Sequence, residues 1–309
     1  MLLLVFWALG IWGPTTLGQG ESEPPSLDRP LPTDDAINLT QSQGRDRRPA
    51  FSPDGKTIAF ESDRDGNWEL YTMAPDGSRQ TRLTRHPGSD RSPSFSPTGS
   101  HLVYQSIRRP GDRRSDLYLL DLRTGAEKQL TTHEADDSFP RFLPDGRFIL
   151  FTSSRDGVAQ IYRLGLRDDG LERLTRTDAN DAWAFPSPSG RQIVFFSQRD
   201  GNDEIYVMGG DGSGLLRLTK DPANDFVPTF APDSRSIAFG SNRRGDGRTH
   251  IFLLGLDADA VPIELDEPAR ATEPAFAPDG KRLAFVSNRG GDDEIYLWDI
   301  PEGIGIGGR

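Results

Sequence analysis

The sequence contains no cysteine. Disulfides, a thiolate nucleophile, cysteine metal sites and a lipid-modified N-terminal cysteine are therefore excluded. Positive charge is in deficit: 36 Lys and Arg stand against 47 Asp and Glu, a net charge of −11. Nucleic acid and anionic lipid are polyanions, so this balance opposes both as partners. No G-x-S-x-G elbow is present, which removes the usual nucleophile of a serine hydrolase. Long apolar runs are missing except for residues 1–13, and that run falls short of the roughly 20 residues that span a bilayer as a helix. It fits the core of a secretory signal peptide, with Thr16-Leu17-Gly18 supplying small residues for cleavage, although no Lys or Arg precedes it. Residues 1–18 are read as that signal peptide, a mis-assigned start or an uncleaved anchor being the alternatives. Residues 19–35, rich in Pro, Glu, Asp and Ser, read as a disordered linker. The mature chain is expected to be exported, periplasmic or extracellular, and without a membrane span.

What is abundant is Gly, with 33 residues, and Pro, with 24. They punctuate a repeat. The marker is a turn: Ser52-Pro53-Asp54-Gly55, Ser96-Pro97-Thr98-Gly99, Leu143-Pro144-Asp145-Gly146, Ser187-Pro188-Ser189-Gly190, Ala231-Pro232-Asp233-Ser234 and Ala277-Pro278-Asp279-Gly280. Its prolines are 44, 47, 44, 44 and 46 residues apart. Pro second and Gly fourth is a type I turn signature, and Ser234 in the Gly place is expected to carry backbone strain. Around each turn lie four short alternating segments, as in Arg48–Phe51, Thr57–Ser62, Glu69–Met73 and Thr81–Thr84, separated by Asp-Gly hairpin turns. We label them strands a, b, c and d.

One four-stranded sheet per repeat of this length is a propeller blade. The expected fold is all-β, a six-bladed β-propeller of four-stranded antiparallel blades over residues 36–300, followed by a flexible Gly-rich tail at 301–309. Aromatics at matching places, from Phe51 and Phe276 on strand a to Tyr71 and Tyr296 on strand c, are assigned to the packing between blades. The sixth copy ends after its c strand, Glu294–Trp298, and lacks a d strand. Its counterpart stands at the other end as Ile37-Asn38-Leu39-Thr40, matching Leu83-Thr84 and Leu218-Thr219. This N-terminal strand is expected to complete the last blade and close the ring, which removes an open sheet edge.

The pattern P-x-F-S-P-D-G-x-x-I-A-F-x-S-x-R-D-G over Pro49–Gly66, continuing into Glu69–Met73 and repeated with small changes along residues 36–300, resembles the WD40-like (PD40) repeat of the TolB family. The resemblance implies a propeller. Similar repeats occur in periplasmic TolB, in propeller domains of peptidases and in some carbohydrate-active enzymes, so the fold is implied more sharply than the function.

Strand order puts the d→a and b→c loops on one face. Three residues before the strand-a proline slot stand Asp46, Asp90, Asp137, Asp181 and Asp225, with Ala271 breaking the set. Every b→c loop holds Ser-x-Arg, from Ser62/Arg64 to Ser287/Arg289. The Asp set could form an acidic mouth for calcium or a basic ligand, or each Asp could pair with its own blade's Arg. The blade-for-blade match of the arginines favours pairing. Symmetry breaks just before strand a, where blades 1 and 2 carry Arg45, Arg47, Arg48 and Arg91 and blades 3, 4 and 5 carry Phe139, Trp183 and Phe226. We take Arg48, Arg91, Phe139, Trp183 and Phe226 as a partner-binding rim, Arg and aromatic residues being the usual interface anchors; the alternative is packing under neighbouring loops. His86 and His133, beside Asp90 and Asp137, are the candidates for a divalent metal. The function expected from these residues is a non-catalytic, monomeric scaffold of the cell envelope that binds a protein or peptide and needs no cofactor. The alternative is a metal-assisted hydrolase or lyase acting on a carbohydrate.

Overall fold

Each repeat folds into one antiparallel sheet. The structure, a computed structural model, describes residues 29–304 apart from 109–110, 112, 169 and 258–259; the signal-peptide reading, most of the linker and the end of the tail lie outside the described residues. In blade 1, strand a is Asp46–Phe51, b is Ile58–Ser62, c is Glu69–Met73 and d is Thr81–Arg82. Strand b is buried at every position, because a propeller blade has neighbours on both faces. The d strands run two to four residues, and short outer strands blunt the edge against unwanted pairing.

Six apolar clusters lie at the six seams between adjacent blades. Each blade sets an aromatic of strand b against one of strand c, from Phe60–Tyr71 at 5.6 Å to Phe285–Tyr296 at 6.0 Å between ring centroids. One cluster joins Phe60 and Tyr71 of blade 1 to Val286 and Leu297 of blade 6, so the ring is closed. Leu39 sits in that seam, placed by the antiparallel pairing of Ile37 with Leu297 and Asn38 with Tyr296. The N-terminal strand thus completes blade 6 as its outer strand.

The chain ends add more than the expected strand. Leu31–Pro32 runs parallel to Ile263–Asp266 as a fifth strand on blade 5. Leu31 and Ile304 are both buried in the seam between blades 5 and 6, and Trp298 Nε1 donates to the Pro32 carbonyl at 3.0 Å. The last part of the segment read as linker and the first part of the tail are therefore packed, because Leu31 and Ile304 each bury an apolar side chain in the cluster that also holds Trp298.

Every strand a carries a register shift against strand b, as between Arg47 and Ala50 in blade 1. The residue at each shift, two after the Asp slot, has a left-handed backbone: Arg48, Ser92, Phe139, Trp183, Val227 and Glu273, with φ between 53° and 56°. Such bulges re-aim a side chain. In the a→b turn Ser234 takes φ 57° where Gly55 has 67°, so the serine holds the glycine conformation at a strain cost.

Candidate functional site

The Asp positions are buried and held within their blades. Arg64 reaches Asp46 at 2.9 Å, Arg155 reaches Asp137 at 2.9 Å, Arg199 reaches Asp181 at 3.0 Å and Arg243 reaches Asp225 at 2.7 Å. Each of these guanidinium groups also covers its blade's strand-c aromatic ring, as Arg64 covers Tyr71. Blade 2 differs: Arg108 turns to Glu127 at 2.9 Å and stands 3.7 Å from Asp90. Burial then pushes the Asp90 carboxyl up to about 6, against the pull of Ser106 and Arg108. In blade 6, where Ala271 holds the slot, Arg289 pairs with Glu267 at 3.3 Å and donates to the Thr33 carbonyl. Thr33 Oγ1 and Ser287 Oγ in turn donate to Glu267. A loop carboxylate and the N-terminal segment replace the missing Asp.

The bulge residues form the mouth of the central channel. Arg48 of blade 1 lies over the rings of Phe139 at 5.0 Å and Trp183 at 5.1 Å, and those rings are 4.3 Å apart. Its guanidinium donates to Ser92 Oγ at 2.6 Å and to Glu61 at 3.3 Å. Arg91 holds the other oxygen of Glu61 at 2.7 Å. Burial of Glu61 is outweighed by Arg48 and Arg91, which keep its carboxyl below the usual range. Glu273 is raised, first by burial and then by Glu61, with Arg48 opposing. The expected basic and aromatic sides of the rim therefore meet in one cluster.

A one-residue register difference separates the predicted rim residues. Arg48, Phe139 and Trp183 occupy the bulge; Arg91 and Phe226 stand one place earlier, where Ser92 and Val227 are the bulge residues. Arg91 lies instead over Trp68 at 4.5 Å. Phe226 pairs across the blade with Gly240, where an added Cβ would meet its ring at 3.2 Å, so the phenyl group fills the space of the absent side chain. His86 and His133 fold back on their own loops, their Nδ1 atoms accepting from the Gly88 and Ala135 N–H groups at 2.9 and 3.0 Å. Among the described residues, no three His, Asp or Glu side chains stand together as a metal-ligand set.

Below the mouth the channel opens into a cavity of about 460 Å³. Its second layer is built from residues four after the Asp slot, including Ala50, Ser94, Arg141, Phe185 and Thr229. Its floor is a collar of turn prolines, Pro53, Pro144, Pro188, Pro232 and Pro278. Sequence reasoning missed this second layer and Glu61 and Glu273. Counting forward from each Asp in steps of two picks out the channel-facing layers once the bulge position is known.

Solved structures share the architecture. TolB from Acinetobacter baumannii aligns with a TM-score of 0.64 at 22% identity over 83% of this chain; the chain spans 64% of that protein's length. An oligogalacturonate lyase from Vibrio parahaemolyticus aligns at 0.60 and 16% identity, over 86% of this chain and 94% of the lyase. A gluconolactonase from Xanthomonas campestris aligns at 0.66 and 16% identity, over 90% of this chain and 93% of the other. At these identities the likeness is one of fold. Matches to the TolB beta propeller domain (PD40) over residues 29–113, 86–198 and 176–261 span most of the sequence, and the chain belongs to the TolB beta-propeller family.

Proposed function

We propose that the protein is an exported, non-catalytic propeller of the cell envelope that receives a protein or peptide segment at the d→a mouth of its channel, acting as a monomer. The observation that carries this reading is the Arg48–Phe139–Trp183 cluster above the 460 Å³ cavity. Arg and Trp beside a pocket are the residue types that anchor protein partners, and here they interrupt an otherwise repeating mouth. A general base needs a carboxylate free to take a proton at the working pH. Glu61 is instead a weak base between two arginines, and Glu273, though raised by burial, accepts from the Arg48 N–H at 2.9 Å, which suits a binding site better than a reacting one.

A pull-down from native cell envelope tests the reading. The wild-type chain is expected to retain a partner that Phe139→Ala/Trp183→Ala loses, with both proteins folded by circular dichroism. A partner retained equally by the double variant would reject the mouth as the binding face.

A further inference from the structure

Arg141 is the odd arginine of the channel. Arg48, Arg91 and the b→c arginines all have carboxylate partners. Arg141 lies in the second layer of the cavity, donates to the neighbouring Pro140 carbonyl at 2.8 Å and stacks over Phe185 at 5.3 Å. No carboxylate stands within ion-pair distance of it among the described residues. The two acids nearest the mouth are already committed, Glu61 to Arg48 and Arg91 and Glu273 to Arg48. Arg141 is therefore left without an ion-pair partner of its own. Burial first, and repulsion from Arg48 second, bring the Arg141 guanidinium down to about 10 against the weaker attraction of Glu273 and Glu61, which reflects the cost of leaving it without a close counter-ion. The surrounding wall is apolar, with Ala50, Ala275 and Phe185 beneath Phe139 and Trp183.

We infer that Arg141 forms a carboxylate subsite inside the channel, for a ligand that bears one carboxylate on an apolar body. One guanidinium balances one negative charge, and its planar fork matches the two oxygens of a carboxylate. The inference rests on the mouth reading above: the bound segment would pass the Phe139–Trp183 pair and place its carboxylate at Arg141. A chain terminus and a free organic acid share this chemistry.

Isothermal titration of the full chain tests it with four probes: 3-phenylpropionate, its neutral amide, and Gly-Gly-Phe with a free or an amidated C-terminus. At least one acid is expected to bind about tenfold or more tighter than its amide, and Arg141→Met to abolish that preference. Binding of the tripeptide identifies a chain terminus as the source, and binding of phenylpropionate alone identifies a small acid. Arg141→Met is also expected to melt about 2 °C or more above wild type without ligand, because a half-buried charge without an ion-pair partner is removed from the channel. Equal binding of acids and amides, an unchanged preference in Arg141→Met, or a lower melting temperature for that variant would overturn the subsite. If Arg141→Met fails these tests yet the envelope partner is still lost with Phe139→Ala/Trp183→Ala, the mouth reading stands without the subsite.

Discussion

Asn38 faces Tyr296 across the closing strand pair, where Arg82 faces Tyr71 in blade 1 and Arg217 faces Tyr206 in blade 4. The exchange decides the charge of the closure. In blade 1, Glu69 accepts from Arg82 at 2.8 Å and from Thr84 at 2.6 Å. In blade 4, Glu204 accepts from Arg217 and Thr219 in the same way. Glu294 of blade 6 keeps the hydroxyl, Thr40, and a backbone donor at Ser42, but has no cation within ion-pair distance among the described residues. Burial, with Asp46 adding its negative charge, pushes Glu294 up to about 7.

Stability should therefore fall with rising pH through this group. A carboxyl whose folded pKa lies above its unfolded value of 4.5 favours the fold when protonated. That contribution is complete below the unfolded pKa and is lost as pH rises through about 7. Asp90, raised to about 6, acts in the same direction. Melting curves at pH 5.5 and 8.5 are expected to show a smaller drop for Glu294→Gln than for wild type. Equal drops would remove Glu294 as a source.

Asn38→Arg should restore the pattern of blade 1. The new guanidinium would reach Glu294 as Arg82 reaches Glu69, at the loss of the Asn38 bonds to the Thr40 and Gln41 N–H groups. A net gain of about 1 kcal/mol at pH 8.5 is expected, with little gain at pH 5.5, where Glu294 is protonated. Denaturant unfolding at both pH values measures it; a gain independent of pH would point to something other than the ion pair.

The closing strand itself should matter through Leu39, which is 4% exposed between blades 6 and 1. Leu39→Ala is expected to cost about 2–5 kcal/mol, whereas Ile37→Ala, at a side chain 63% exposed, should cost under about 0.5 kcal/mol. Comparable losses at the two positions would contradict the seam.

Glu267 should behave as the missing sixth Asp. Glu267→Gln leaves Arg289 without a carboxylate and is expected to cost about 3 kcal/mol. Ala271→Asp puts a carboxylate opposite Ser287, where Asp46 stands opposite Ser62. In the double variant it should recover much of that loss. Purely additive losses in unfolding experiments would show that the two positions do not serve the same arginine.

The propeller was legible because each blade repeats the same turn and alternation, and the closure because Ile37–Thr40 matched a strand that blade 6 lacked. Leu31–Pro32 was not, since two residues beside a proline carry no period. The site was half legible. Arg48, Phe139 and Trp183 stood out as breaks in a repeat, but Arg91 and Phe226 were drawn in with them because the bulge phase is set by pairing with strand b and leaves no mark in composition. Arg141 was silent for the same reason: its facing depends on that phase. Glu267 sits in a loop ahead of its slot, so no spacing announced it.

Photo-crosslinking in the native envelope shows whether a partner enters at the d→a mouth. A benzophenone amino acid replaces Trp183 at the mouth or Asp145, an exposed residue in an a→b turn on the opposite face. A discrete crosslinked partner is expected from position 183 and none from 145. A partner captured from 145 and not from 183 would contradict entry at that mouth.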